Sequence, residues 1–310
     1  MSVAVATFDD EVWVRVPGKI NLALVVGPRG KDGYHDLATV FQAVGLYDEV
    51  RAISQDDEVT CQVNGLQARQ VGPAHLNLAV QAAELLRRSY HLTQGVHLVI
   101  DKQIPVAGGM AGGSADAAGA LLACAELWEL DLTSDDLMEL GAQLGADVPF
   151  LLMGGCALGL GRGEALTPAL SRGVCHWVLA LSSQGLSTPQ VYAEFDKLAA
   201  ANQTAPAHPQ PPRELMMTLA SGDMARLGGL LINDLDPAAR SLNPGLTAIM
   251  RAGRDAGSLG AIISGSGPTI AFLTADQDAA TELAVTLSSL GMVQQIRVVT
   301  GPVPGATIIR

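Results

Sequence analysis

The stretch PVAGGMAGGSADAAGALL, from Pro105 to Leu122, puts four glycines into six residues directly ahead of an alanine-rich run. Bare backbone at that density costs too much conformational entropy for the interior of a helix or strand. It marks a loop, and the alanines behind it mark a helix beginning near Ser114. The first N–H groups of a helix lack intrahelical partners, and the helix dipole favours negative charge there. Such a loop can hold a phosphate, with Gly108, Gly109, Gly112 and Gly113 as N–H donors. Ser114 adds a hydroxyl for phosphate or a metal ion. The alternative is a close-packed turn between strand and helix. Two common phosphate loops do not fit. Gly113 runs into Ser114 without the lysine of a P-loop, and the loop follows about the third or fourth strand, not the first as in a dinucleotide fold. The stretch also carries no basic residue, so any counter-charge comes from elsewhere in the chain.

Strand and helix patterns surround this loop. Val12, Val14 and Val16 alternate with Trp13 and Arg15, and KINLALVV follows Pro17 and Gly18. Unbroken alternation places Lys19, Asn21, Ala23 and Val25 on one face, and Ile20, Leu22, Leu24 and Val26 on the other. GPRGKDGYHDL is turn-rich, and ATVFQAVGLYDEVRAIS reads as a strand with a break at Gly45. Leu78, Ala82, Leu85 and Leu86 give NLAVQAAELLRRSY a helical stripe. GVHLVID is a strand, and Thr133 or Ser134 can cap a helix through DDLMELGAQLG. Glycines dominate Gly155–Gly163, so a boundary is expected there, dividing residues 1–158 from 159–310. Beyond it HWVLALSS is a strand, TPQVYAEFDKLAAA a helix and QTAPAHPQPPR a loop. Helix 243–256, strand 260–264, a tight glycine turn, strand 269–274, helix 277–290 and strand 294–300 complete the pattern. That α-β-β-α-β order describes an α/β sandwich of split-βαβ type. The fold class is α+β in two domains.

Composition removes several classes of function. The net charge of −12 argues against an extended nucleic-acid footprint, which needs clustered Lys and Arg. Cys61, Cys124, Cys156 and Cys175 show no CxxC spacing, against a zinc site or disulfide framework. No apolar run approaches the roughly 18–20 residues that span a bilayer, and MSVAVATFDDEVW lacks the basic start of a signal peptide. A cytoplasmic protein, monomeric or weakly dimeric, is expected.

Three segments together carry a resemblance. PVAGGMAGGSADAA, VPGKINLALVVGPRGKDGYHDL near the start and GAIISGSGPTIAFL near the end resemble, in order and spacing, the motifs of the GHMP kinases. These are the galactose, homoserine, mevalonate and phosphomevalonate kinase superfamily. The Lys-x-Asn-Leu strand and Asp-Gly-Tyr-His loop, with LGADVPF and GLSTPQVY, are similar to one branch of it. That branch phosphorylates a cytidine diphosphate-linked methylerythritol in non-mevalonate isoprenoid synthesis. The resemblance covers nearly the whole chain from Val12. It departs at Ala115, where the wider superfamily often has a second serine.

The resemblance implies a two-domain GHMP kinase fold, with an ATP-binding domain over 1–158 and a substrate domain over 159–310. It implies transfer from ATP, with Mg²⁺, to the 2-hydroxyl of the erythritol moiety. Asp147 matches the catalytic aspartate, and Lys19 is the ammonium that assists it and answers the loop's missing charge. Without the family, Asp147 is equally a capping residue and Lys19 a solvated strand-end lysine. Pro105, Val106, Ala107, Gly108, Gly109, Met110, Ala111, Gly112, Gly113 and Ser114 form the implied ATP loop. Asn77 and Lys102 match positions near the adenine and ribose, though Asn77 also suits a helix cap and Lys102 a solvated charge. On the substrate side stand Asn21, Tyr34 as a stacking face, His35 as a hydrogen-bonding edge and Tyr192 as the opposite face of a base sandwich. Ser187 and Thr188 either contact the diphosphate or cap the following helix. Asp116 either helps hold Mg²⁺ through water or serves the helix dipole. Ser264–Thr269 is expected to lie across the cleft from the ATP loop.

Overall fold

The computed structural model describes residues 11–182, 185–201 and 208–310. The chain begins with strands β1 (Glu11–Arg29), β2 (His35–Gln55) and β3 (Val59–Gly65), helix α1 (Leu78–Tyr90) and strand β4 (Gly95–Lys102). Helices α2 (Gly112–Leu127), α3 (Ser134–Leu144) and α4 (Val148–Met153) precede strands β5 (Cys156–Gly161), β6 (Ala165–Pro168) and β7 (Cys175–Leu181). Next come α5 (Thr188–Ala201), α6 (Arg213–Ser221), α7 (Met224–Leu230), β8 (Ile232–Asn233), α8 (Asp236–Leu242) and α9 (Gly245–Asp255). The last are β9 (Gly260–Ile263), β10 (Ile270–Thr274), α10 (Gln277–Ser289), β11 (Gln295–Gly301) and β12 (Thr307–Ile308). The signal-peptide reading falls largely on residues outside the described ones, as does the proline-rich segment as far as residue 207. No helix among the described residues is long and apolar enough to cross a membrane.

The first sheet runs β12-β1-β2-β4-β3, with β8 parallel on β1 and the β5–β6 hairpin on β2. Strand β2 serves two neighbours: Leu37–Gln42 pairs with β5 and Glu49–Gln55 with β4. Between them the register against β1 jumps from Pro17↔Tyr47 to Gly18↔Val44. The expected break at Gly45 is thus a bulge inside one long strand, which bends the sheet without ending it. Residue 158, where the boundary is expected, lies inside β5 and pairs with Val40. The first sheet continues to Pro168 and also recruits β8 and β12, so the glycines of 155–163 belong to a strand and its hairpin turn.

A second bulge corrects the expected faces of β1. Asn21 pairs with Phe41 but Ala23 with Val40, which leaves Leu22 looped out. One extra residue sends every following side chain to the other face. Leu22 and Ala23 therefore join the core under the first sheet, whereas Leu24 and Val26 pack into the core of the second.

Helix α2 is buried on nearly all sides because its residues are small. A Cβ on Gly119 would lie 2.6 Å from a Val50 methyl, so glycine lets the helix lie directly on the sheet. The second sheet is antiparallel in the order β11-β7-β10-β9. Met250 of α9 and Leu283 of α10 pack with Phe272 of β10 in its core, giving the expected split-βαβ sandwich.

Candidate active site

The glycine loop is built to leave N–H groups free. Positive φ recurs at Ala107, Gly109 and Ala111 (49°, 79° and 60°), alternating with residues outside that region. Alternation of this kind turns successive N–H groups toward one concavity, an anion nest. Ala111 is the N-cap of α2 and supplies no side-chain cap. Among the described residues no backbone or side-chain acceptor takes the N–H groups of Gly108, Gly109, Gly112, Gly113 and Ser114. Met110 is buried and its carbonyl accepts from the Lys19 N–H, anchoring the loop to β1.

The turn Ser264–Thr269 packs against this loop instead of facing it across a gap. The Ser264 hydroxyl donates to the Gly109 carbonyl at 2.9 Å, and the Thr269 N–H to the Gly108 carbonyl at 3.2 Å. A side chain at Gly109 would collide with the Ser264 carbonyl, which together with φ +79° reserves the position for glycine. The turn is held in place by Asn233, a residue with no sequence signal of its own. Its amide donates to the carbonyls of Ile263 and Gly265, both at 2.7 Å.

Lys19 and Asp147 meet at one end of this arrangement. Asp147 occupies the N-cap position of α4 but makes no capping hydrogen bond. Its carboxylate instead approaches the Lys19 ammonium, 4.0 Å away. Lys19 is buried and donates to Asn21 Oδ1 at 2.8 Å. Asn21 Nδ2 donates to the Thr39 hydroxyl at 2.8 Å, which donates to the Ala23 carbonyl at 2.7 Å. The chain has one consistent direction: a carbonyl only accepts, so the hydroxyl accepts from Nδ2, and Oδ1 is left for the lysine. With one ammonium proton fixed, the remaining two can serve other acceptors.

These groups line a cavity of about 300 Å³ together with Ser114, Thr188 and Gly265. It adjoins a larger one, about 780 Å³, lined by Tyr34, His35, Tyr192 and Arg162, among others. Leu37, Ala146, Arg162, Thr188 and Tyr192 border both. Tyr192 stacks at a tilt on His35, with centroids 5.2 Å apart. Burial, with a smaller contribution from the Asp147 charge, pushes its phenol up to about 12. Thr188 shares a 2.9 Å hydrogen bond with Ser266.

Two expected roles on the substrate side change. Both ring nitrogens of His35 are engaged: Nδ1 lies 2.8 Å from the Gly27 carbonyl and Nε2 3.4 Å from Asp196. The ring presents a buried face and no free edge. Tyr34 is exposed, but one side of its ring is covered by the Arg162 guanidinium, 3.9 Å from the centroid. Only the other side is open to a stacking base. Arg162 escaped the sequence reading because it sits among glycines at the supposed boundary. A lone arginine in a Gly-Arg-Gly turn was the available signal.

Lys102 is corrected. It is 1 % exposed and bonds Asp48 Oδ2 and Asp116 Oδ2, both at 2.7 Å. Its ammonium belongs to a buried triad and is not free for a ribose. Asp48 Oδ1 also accepts from the N–H groups of Gln103 and Ile104, so the triad ties β2, the end of β4 and the second turn of α2 together. Asp116 is thus a member of this buried triad, with its Oδ2 on the ammonium. Burial pushes its carboxyl up to about 8, with the Asp48 charge adding to burial and Lys102 opposing it. One ammonium cannot neutralise two buried carboxylates, and Asp116 is the one with an unpartnered oxygen. Asn77 caps α1, accepting from the Ala79 N–H at 2.9 Å.

An anion nest beside a lysine–aspartate pair, set between two such sheets, is the arrangement of a small-molecule kinase, and the chain belongs to the GHMP kinases. The family models for the GHMP kinase N-terminal domain and C-terminal domain match residues 77–155 and 215–291. More particularly, the chain is 51 % identical to the 4-diphosphocytidyl-2-C-methyl-D-erythritol kinase of Streptomyces avermitilis, covering 96 % of this chain and 99 % of that one. It is 52 % identical to the enzyme of the same name from Nocardia farcinica, covering 96 % of each. A crystal structure of 4-(cytidine 5'-diphospho)-2C-methyl-D-erythritol kinase superposes with a TM-score of 0.75 at 31 % identity, over 93 % of this chain and 98 % of that one. The homoserine kinase of Cytophaga hutchinsonii reaches the same TM-score at 18 % identity, a likeness of fold alone.

Proposed function

We propose that the chain is a 4-(cytidine 5'-diphospho)-2-C-methyl-D-erythritol kinase, transferring phosphate from ATP to the 2-hydroxyl of the erythritol moiety. The observation that carries this reading is the Lys19–Asp147 pair, with a carboxylate free of capping duty, facing a cavity that joins the phosphate nest to an aromatic chamber. Relatives of about 50 % identity over nearly the full length bear that name. Position and charge do most of the work in phosphoryl transfer. The free N–H groups of the loop and the uncapped start of α2 receive the phosphates of ATP. Asp147 accepts the proton of the attacking hydroxyl. Lys19, aimed by Asn21 and Thr39, bridges the acceptor oxygen and the departing phosphoryl oxygens. Tyr34, His35 and Tyr192 receive the cytidine end.

Mg²⁺ fits what is present. Ser114 offers an oxygen beside the nest, and no group of three or more His, Cys, Asp or Glu able to hold a metal occurs among the described residues. Mg²⁺ in nucleotide sites rests mainly on phosphate oxygens and water, with one or two protein oxygens. When bound, it neutralises charge on the phosphates.

The test is ADP release, comparing the cytidylyl substrate with mevalonate, homoserine and galactose. Turnover of the cytidylyl substrate alone is expected. Turnover of another acceptor in its place would overturn the substrate, and no turnover with any would overturn the kinase.

A further inference from the structure

We infer that Arg162 is the diphosphate-binding and specificity-determining residue of the substrate channel, holding the phosphates of a nucleoside diphosphate ester while backing the ring on which its base stacks. The inference rests on the proposed cytidylyl substrate.

The geometry begins with the two cavities. The acceptor hydroxyl belongs beside Asp147 in the smaller one, and the base belongs in the larger one beside Tyr34 and Tyr192. A ligand reaching both must lay its middle, the diphosphate, across the residues that border both. Of those residues, Arg162 alone carries a charge. The hairpin turn between β5 and β6 carries it, and the turn is braced by the Arg162 N–H donating to Glu164 Oε2 at 2.7 Å.

The side chain is restrained but not committed. Its guanidinium bonds Asp32 Oδ2 at 2.8 Å, and both side chains of that pair are about half exposed (50 % and 56 %). An ion pair in that setting is weak and easily exchanged. A guanidinium has five donors in a planar fork, suited to a phosphate, so it can engage a diphosphate while keeping or leaving Asp32. Meanwhile its stacking on Tyr34 at 3.9 Å covers one face of the ring and leaves the other for a base. Asp32 also accepts from the Tyr34 N–H at 3.1 Å, so one carboxylate positions both members of the stack. The residue thus ties the site's preference for a base to its preference for a diphosphate.

The experiment measures affinities of the full-length protein for cytidine, CMP and CDP by calorimetry, and kcat and KM for the cytidylyl substrate, in wild type, Arg162→Ala and Arg162→Lys. The inference predicts that wild type binds CDP more tightly than cytidine. Arg162→Ala should lose about 10- to 100-fold on CDP, the range of a charge-assisted hydrogen bond, and only a few-fold on cytidine. Arg162→Lys should fall between, and KM should rise much more than kcat falls. Equal losses on cytidine and CDP would reduce Arg162 to a brace for Tyr34 and overturn the inference. Unchanged CDP affinity in Arg162→Ala would also overturn it, while leaving the cytidylyl reading intact if wild type turns that substrate over. Failure of wild type to bind CDP at all would instead sink that reading, and the inference with it.

Discussion

Replacing Lys102 with methionine tests the buried triad. The side chain keeps roughly its length and loses only its charge and donors. Asp48 would retain the N–H groups of Gln103 and Ile104 as partners. Asp116 would be left with the Asp48 carboxyl alone, since among the described residues Lys102 is its N–H donor and its Oδ1 is already unpartnered. Removing one partner from a buried ionic group of this kind costs about 3–5 kcal/mol. For a chain of 310 residues each kcal/mol corresponds to about 1.5 °C, so the expected drop in melting temperature is about 5–8 °C. Lys102 opposes the upward push on the Asp116 carboxyl, so its removal drives that carboxyl further up, which gives the effect a pH signature. A folded-state pKa above the unfolded one means that the folded chain holds more protons, so stability falls as pH rises between the two values. Each pH unit in that window costs about 1.4 kcal/mol. Because the wild-type carboxyl already sits at about 8, wild type and variant lose stability in parallel below that pH and diverge only above it, so differential scanning fluorimetry at pH 7 and pH 9 should show the larger loss at pH 9. Adding Asp116→Asn to the variant should restore more than half of it. A loss under about 2 °C, or one independent of pH, would refute the idea that Lys102 holds Asp48 and Asp116 together in the buried triad.

Other expectations follow from the site. Asp147→Asn should lower kcat by about 10²- to 10⁴-fold, the range for a general base, with ATP affinity and melting temperature near wild type, as steady-state kinetics and fluorimetry would show. Thr39→Val removes the hydroxyl that orients Asn21, and through it Lys19; kcat should fall about tenfold, in line with one net hydrogen bond, without a change in ATP affinity. Gly109→Ala should weaken ATP binding measured by calorimetry, because the side chain forces the loop off the Ser264 turn. Asn233→Ala leaves the carbonyls of Ile263 and Gly265 without their donor and should cost about 1–3 kcal/mol in urea unfolding.

Local pattern carried much of the architecture. The helix and strands beyond residue 243 were legible because each is a short periodic segment between turns, and α9, β9, β10, α10 and β11 appear close to their expected bounds. The loop before α2 was legible because glycine density has few other uses. What stayed hidden depends on pairing between distant segments. The bulge at Leu22, which moves Leu24 and Val26 to the other face, exists only because Phe41 and Val40 take Asn21 and Ala23 as partners. The glycines of the β5–β6 hairpin read as a domain boundary until β2 pairs with it. In the site, Lys19, Asn21 and Asp147 were found through motif resemblance, and the structure brings them to one cavity. Lys102 was misplaced because no local signal tells a solvated lysine from one buried between Asp48 and Asp116, 54 and 14 residues away. Arg162, Thr39 and Asn233 were missed for the same reason: their roles lie in contacts across the fold.

The central claim is that this cleft moves a phosphoryl group to a hydroxyl with Asp147 as base. Single-turnover transfer from ATP to the cytidylyl substrate, followed by ³¹P NMR in wild type and Asp147→Asn, tests it most directly. The account predicts a new monophosphate ester on the erythritol 2-hydroxyl in wild type, and the same ester formed at least about a hundredfold more slowly in a variant that still binds both substrates. An ester formed at the wild-type rate by Asp147→Asn, or none formed by wild type, would contradict it.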